Sequence, residues 1–302
     1  MIIYTMPRVR KARPVPNNWN TDWSGKLTKT IHDFKDEQDG KHGSASRTTT
    51  KRVRGKKAPA SNNKKKEKRK PVPQPKGARD GILPDQPCAM MYCGLSKSGK
   101  STLLKNTLTD PQLLKGYYHM IIMFSPTADA DTTITEALKL PDENIITNFT
   151  EEKLKEIIDE QRKLIEKDGY NAVAKKNRML FIFDDCISHQ RFLRSQTIID
   201  LTATVRHLLI SVVFLIQSYR MVARPCRINL RGIAFFESNR NETDVLCDEE
   251  CPPTLTRREF RQLIHEATDE KYSFLFINKD RPYNERYLRK YDEIIQFDYV
   301  ER

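Results

Sequence analysis

The chain lacks any long apolar run. No stretch reaches the roughly 18 apolar residues a membrane-spanning helix needs, and Met1-Ile2-Ile3-Tyr4-Thr5-Met6 is too short for the apolar region of a secretory signal. Cysteine is poorly placed for a disulfide framework. The six residues fall at 88, 93, 186, 226, 247 and 251, two of them flanking a single apolar run. They read as ordinary thiols of a reducing compartment, and Cys247-x-x-x-Cys251 has no second ligand pair nearby to complete a zinc site. No internal repeat is evident. Acidic residues are scarce at the start: residues 1–80 hold 22 Lys+Arg against 7 Asp+Glu, a net +15, whereas residues 81–302 hold 31 against 33, a net −2. The overall +13 is therefore a property of one end, and the rest is close to neutral.

Residues 1–80 are also short of apolar side chains, so they cannot bury enough surface to offset chain entropy and read as a disordered basic tail. Two clusters stand out within it, Lys51-Arg52-Val53-Arg54-Gly55-Lys56-Lys57 and Lys64-Lys65-Lys66-Glu67-Lys68-Arg69-Lys70. Such runs suit phosphate backbones, with a salt-sensitive affinity, and also have the form of nuclear-localisation signals. The plainer alternative is a solvated tail that aids solubility. Asn18-Trp19-Asn20-Thr21-Asp22-Trp23 is a weak docking motif, and Pro71-Val72-Pro73-Gln74-Pro75 reads as an extended linker, with the folded domain beginning near Gly81.

The most informative stretch is Gly94-Leu95-Ser96-Lys97-Ser98-Gly99-Lys100-Ser101-Thr102, which fits G-x-x-x-x-G-K-[ST] with no mismatch. In this P-loop (Walker A) pattern the glycines let successive backbone N–H groups converge on one phosphate. Lys100 reaches the β- and γ-phosphates of ATP, and the Ser101 hydroxyl is placed to hold Mg²⁺. The setting agrees: the apolar run Cys88–Cys93 precedes the loop, and Ser101–Leu108 follows with apolar residues at helical spacing, which puts the phosphates at a helix N-terminus.

Further on, Arg178-Met179-Leu180-Phe181-Ile182-Phe183 runs straight into Asp184-Asp185, the form of a Walker B strand. Asp184 takes the magnesium role and Asp185 polarises the attacking water; a helix cap is the bland alternative. His119–Pro126, Ser211–Ile216 and Gly232–Phe236 read as buried strands, and Tyr272–Asn278 as a last one before a charged C-terminal stretch. Helices are expected from Thr150, capped by that residue and ended by Gly169, over Thr197–Leu209, and over Arg257–Ala267 behind a Thr256 cap. Gln217, at the tip of the 211–216 strand, is placed to sense a γ-phosphate or orient water, unless it is a hydrogen-bonded loop residue. Strands alternating with helices predict an α/β fold, a mostly parallel sheet covered on both faces.

At this point the chain resembles a known family. Phe181-Ile182-Phe183-Asp184-Asp185, then Val205-Arg206-His207, then Phe214-Leu215-Ile216-Gln217-Ser218-Tyr219-Arg220, then Cys226-Arg227-Ile228-Asn229 are similar to the genome-packaging ATPases of poxviruses and other large DNA viruses, in the FtsK–HerA group. The similarity spans roughly residues 85–280. The P-loop and Asp-Asp are shared by many NTPases; the Arg-His pair before a strand ending Gln-Ser-Tyr-Arg is more specific. The resemblance implies phosphate binding by Gly94–Thr102, Mg²⁺ at Asp184, a catalytic carboxylate at Asp185 and a sensor at Gln217. It also implies a homo-oligomeric ring in which an arginine of one subunit reaches its neighbour's γ-phosphate. Arg206, Arg220, Arg227 and Arg231 are all candidates for that finger. Two features stand out: Walker B ends Asp-Asp, as in the viral branch, where FtsK–HerA members often have Asp-Glu, and Lys97 sits inside a loop that is richer in glycine in poxviruses, as a second charge at the phosphates or as a tolerated surface residue.

The expectation is therefore an ATP- and Mg²⁺-dependent translocase that packages double-stranded DNA, working with capsid or portal proteins in the virion and infected cell. Three alternatives remain: a nucleoside or nucleotide kinase, a DNA-binding virion protein with little turnover, and a segregation or repair motor of the same superfamily.

Overall fold

The computed structural model describes residues 68–130 and 132–295. The cluster at 51–57, the tryptophan pair and most of the cluster at 64–70 lie outside the described residues.

Five apolar runs form fully buried strands: β1 (Ala89–Cys93), β2 (Met120–Phe124), β4 (Met179–Asp184), β5 (Ile210–Ile216) and, apart from half-buried Arg231, β6 (Leu230–Phe236). The short Ile145–Ile146 piece is β3. Together with β7 (Phe274–Asn278), β8 (Tyr287–Arg289) and β9 (Glu293–Ile294) they form one sheet in the order β3-β2-β4-β5-β1-β6-β7-β8-β9. The first six are parallel, and each ladder from β6 to β9 is antiparallel. Tyr272–Asn278 is thus not the last strand. The segment expected as a charged C-terminal stretch contributes two more short strands, because Tyr287 and Leu288 are buried against the sheet.

Successive residues of each strand point to opposite faces, so the core divides in two. Met91, Phe124, Phe181, Phe183 and Phe214 face one side. There they meet α2 (Glu151–Asp168), α3 (Gln196–Leu208), α4 (Arg240–Glu250) and α5 (Arg257–Thr268). Met90, Tyr92, Ile121, Ile182 and Leu215 face the other and meet α1 (Lys100–Thr109). The helix ends carry the expected chemistry. Thr150 accepts from the Lys153 N–H and Gly169 closes α2, while Thr256 and Glu259 form a capping box on α5.

All six cysteines are free. Burial pushes Cys88 up to about 12 and Cys247 up to about 11, so both thiols stay protonated near neutrality.

The Pro-rich stretch is extended but docked. Val72 packs beside Val173 and Leu209, Pro75 is buried, and Gln74 exchanges two 2.7 Å hydrogen bonds with the backbone of Gln86. A helical turn at Lys76–Arg79 follows, with Gly77 and Ala78 buried. The packed body therefore starts before Gly81. Residues 68–86 run as a strap beneath the amino ends of the parallel strands, touching Asn171 and His207 at one end and Asn278 at the other.

Candidate nucleotide site at the carboxyl ends of the strands

β1 lies between β5 and β6, and its exit is tied to β5: the Gly94 N–H donates to the Ile216 carbonyl at 3.2 Å. The chain then wraps from Gly94 to Gly99 and enters α1 at Lys100. Both glycines are sterically required. A Cβ on Gly94 would sit 2.6 Å from Cβ of Phe236, and Gly99 has φ +103. Gly99 caps α1 without a side-chain acceptor, so the first-turn N–H groups face the loop. Lys100 Nζ donates to the Gly94 carbonyl at 3.0 Å and to the Leu95 carbonyl at 2.8 Å, folding over the loop. Burial lowers its pKa, opposed by Cys93, Asp184 and Asp185. Leu95, Ser96 and Lys97 are exposed at the turn, and Lys97 adopts a left-handed backbone, φ 61. Ser101 and Thr102 follow in the first helical turn.

The end of β4 brings two carboxylates to the same pole. Asp184 is buried (7 % exposed) and Asp185 turns out of the strand with φ 47. Thr127 Oγ1 donates to Asp185 Oδ2 at 3.2 Å, and Gln217 Nε2 donates to Asp185 Oδ1 at 3.4 Å. Two strand tips thus hold one carboxylate from both sides. Asp184, Asp185 and Ser101 offer hard oxygen donors, which suit Mg²⁺. Among the described residues no group of three His, Cys, Asp or Glu side chains could hold a metal alone, so a cation here needs phosphate and water ligands as well.

The segment after β5 is gripped by α4. Glu242 accepts from Ser218 Oγ at 2.8 Å and from the Tyr219 N–H at 2.6 Å. Glu249 takes Arg227 in a two-armed ion pair of 2.9 and 2.5 Å, and Glu250 accepts from the Tyr219 hydroxyl at 3.2 Å. Seven and eight residues from Glu242 make two helical turns, so all three carboxylates share one face of α4.

The four candidate arginines separate clearly. Arg227 is buried (8 % exposed) and also donates to the Val222 carbonyl, so its guanidinium is engaged within the fold. Arg231 opens β6 at the amino-end pole and pairs with Asp280. Arg206 is exposed in the last turn of α3, just before β5 begins, and so lies at that pole too. Arg220 is exposed at the phosphate-loop pole, three residues past Gln217, with its backbone carbonyl held by Arg194 at 2.7 Å. Beside it lies an open groove of about 490 Å³ lined by Arg194, Arg220, Arg224, Asp248 and Glu249. Of the four, only Arg220 is both exposed and at the nucleotide pole.

Sequence reasoning did not find Thr127, Phe236 or Glu242. Thr127 lies three residues past a strand end and Phe236 at one, which is a detectable signal; Glu242 reaches the site through contacts 23 and 24 residues away, which no local pattern encodes.

Residues 78–280 match the Poxvirus A32 protein family. The chain belongs to that family. Membership bears out the resemblance to poxvirus genome-packaging ATPases. No curated protein matches. Among solved structures, the genome packaging NTPase B204 from Sulfolobus turreted icosahedral virus 2, in complex with AMP, aligns at 14% identity and TM-score 0.46, covering 64% of this chain and 93% of that one. EssC (ATPases 2 and 3) from Geobacillus thermodenitrificans aligns at 16% identity and TM-score 0.46, covering 70% of this A32-family chain and 40% of that one.

Proposed function

We propose that this A32-family chain is the ATP-hydrolysing motor that drives double-stranded DNA into a capsid, acting as a homo-oligomeric ring with capsid or portal proteins in the infected cell and virion. The observation that supports this most is the convergence of three strand ends at one pole. The Gly94–Thr102 loop, the Asp184-Asp185 pair and Gln217 meet there, with Asp185 bonded to Gln217. The first-turn N–H groups of α1 and Lys100 receive the β- and γ-phosphates and stabilise the charge that builds there during transfer. Asp185 accepts a proton from, and aims, the attacking water, while the Gln217 amide fixes that carboxylate and registers the terminal phosphate. Ser101 and Asp184 would hold Mg²⁺, which would supply charge neutralisation at the transferring group.

Arg220 is the finger this reading favours, projected toward the neighbouring subunit from the same segment as Gln217. A sensor and a finger on one segment give a direct physical link between hydrolysis in one subunit and its neighbour. The basic stretch within residues 1–80 carries the charge for DNA contact, and the packed body, which begins with the strap before Gly81, carries the chemistry.

The test is steady-state ATP hydrolysis with and without double-stranded DNA, at low and moderate salt, for wild type and Lys100→Ala. Expected is turnover stimulated by DNA, weakened by salt and abolished in the variant. A full-length protein that binds DNA yet never hydrolyses ATP, even with capsids added, overturns the motor and leaves the assembly-protein reading. Turnover that requires a nucleoside acceptor overturns it in favour of a kinase.

A further inference from the structure

Tyr272 is one of six non-glycine residues with a left-handed backbone among the described residues, and the one aromatic among them. It holds a left-handed backbone, φ 68, and is 57 % exposed. That conformation disfavours residues with a Cβ; glycine relieves it, and asparagine only tolerates it better than tyrosine does. A ring so exposed gains little from burial to offset the cost. Strain of this kind points to a job outside the fold.

The location suggests which job. β7 runs antiparallel to β6, so Phe274 pairs with Phe236 and the chain just before β7 returns to the phosphate-loop pole. Tyr272 is fixed there by its neighbours. Ser273 is buried, its N–H donates to the Glu270 carbonyl at 2.9 Å and its hydroxyl to the Ala267 carbonyl at 2.7 Å. The Tyr272 ring then lies against the loop itself: Cδ1 is 3.3 Å from where a Cβ on Gly99 would stand. Buried Phe236 backs the same glycine at 3.7 Å. Lys271 places its ammonium 4.9 Å from the Tyr272 ring centroid.

We propose that Tyr272 is the platform on which the purine ring of the nucleotide stacks. This rests on the reading of Gly94–Thr102 as the phosphate site. A ring touching Gly99 is within a nucleotide's length of any phosphate held by Lys100 and Ser101, and a flat, accessible phenol ring is the surface a base stacks on. The role is in affinity, with the phosphates still held by the loop.

The experiment measures binding of ATP and of inorganic tripolyphosphate, which lacks a base, to the full chain. Wild type, Tyr272→Phe, Tyr272→Ala and Tyr272→Gly are compared. Loss of one base stack weakens affinity by about ten-fold. Expected is that fall for ATP in Tyr272→Ala and Tyr272→Gly, wild-type affinity in Tyr272→Phe, and unchanged tripolyphosphate binding in all four. Tyr272→Gly should melt at or above the wild-type temperature, because it relieves the backbone, which separates the platform from fold integrity. Tyr272→Ala binding ATP like wild type, or losing ATP and tripolyphosphate alike, overturns the platform while leaving the phosphate loop standing. A wild-type protein that binds neither ligand overturns both.

Discussion

Replacing Arg227 by methionine removes the guanidinium and keeps most of the apolar volume. In the folded protein that guanidinium joins Glu249, the Val222 carbonyl and the face of the Tyr219 ring. Removing one partner of a fully buried ion pair costs roughly 3–5 kcal/mol. Here the Arg227 side chain is 9% and the Glu249 side chain 18% exposed, so water recovers part of the carboxylate's loss. A destabilisation of about 2–3 kcal/mol follows. With a urea slope of about 3 kcal/mol per molar, the unfolding midpoint should fall by roughly 0.7–1 M. Arg220→Ala should do the opposite: its exposed side chain can go for about 0.5 kcal/mol or less, yet turnover should collapse by about 10³-fold or more if it acts on a neighbour's phosphate. The assay pairs urea unfolding with ATP hydrolysis on both variants, and adds mixtures of Arg220→Ala with Lys100→Ala subunits. A stable but inactive Arg227→Met protein beside an unstable but active Arg220→Ala protein would refute the assignment. So would two variants that lose stability and activity together.

Gly94→Ala forces its new methyl against Phe236 and Ser98, so the loop must shift and tripolyphosphate binding should fall at least ten-fold in a filter or calorimetric assay, with the fold retained. Glu242→Gln replaces an acceptor of two hydrogen bonds by a group that brings a donor against the Ser218 hydroxyl or the Tyr219 N–H. The tip of β5 should then lose its placement, dropping kcat about ten-fold while nucleotide affinity stays within about two-fold. Burial, aided by the Arg178 charge, lowers His119 from 6.5 to about 4, and its Nδ1 accepts from the Arg178 N–H at 3.2 Å. Between those two pH values the unfolded chain binds more protons than the native one. Stability should thus be fully present above pH 6.5 and decline as pH falls toward 4. Urea midpoints of His119→Asn should fall less steeply over that window than those of wild type.

Much of the parallel half of the fold was legible because its information is local. β1, β2, β4 and β5 are dominated by apolar runs of strand length, and the caps at Thr150, Gly169 and Thr256 are single-residue signals. The antiparallel end was not. β8 has three residues among charged neighbours, and what makes it a strand is Leu288 meeting Phe276 across the sheet. The site divides likewise. The phosphate loop and Asp184-Asp185 are contiguous and carry their spacing with them, whereas choosing among four arginines depends on partners elsewhere. Arg227 and Arg220 are the same residue type seven positions apart; what separates them is Glu249 on α4, 22 residues from Arg227. Val72 and Gln74 looked like linker because proline-rich sequence is extended whether or not it is docked, and the dock is Gln86 and the surface around Val173.

The strap has a mechanical meaning. Residue 68 leaves the body beside Asn171 and His207, at the pole opposite the phosphate loop. If the basic stretch before it grips a polymer, tension enters the body there. The load meets the Lys70–Asn171 and Arg69–His207 bonds first, then Val72, then the paired Gln74–Gln86 bonds, and only afterwards β1. β1 is itself bonded along both edges by β5 and β6. Under such a load the attachments would act in series as a fuse, peeling one at a time, so that the tension unloads into replaceable surface contacts while the glycine loop on the far side keeps its shape.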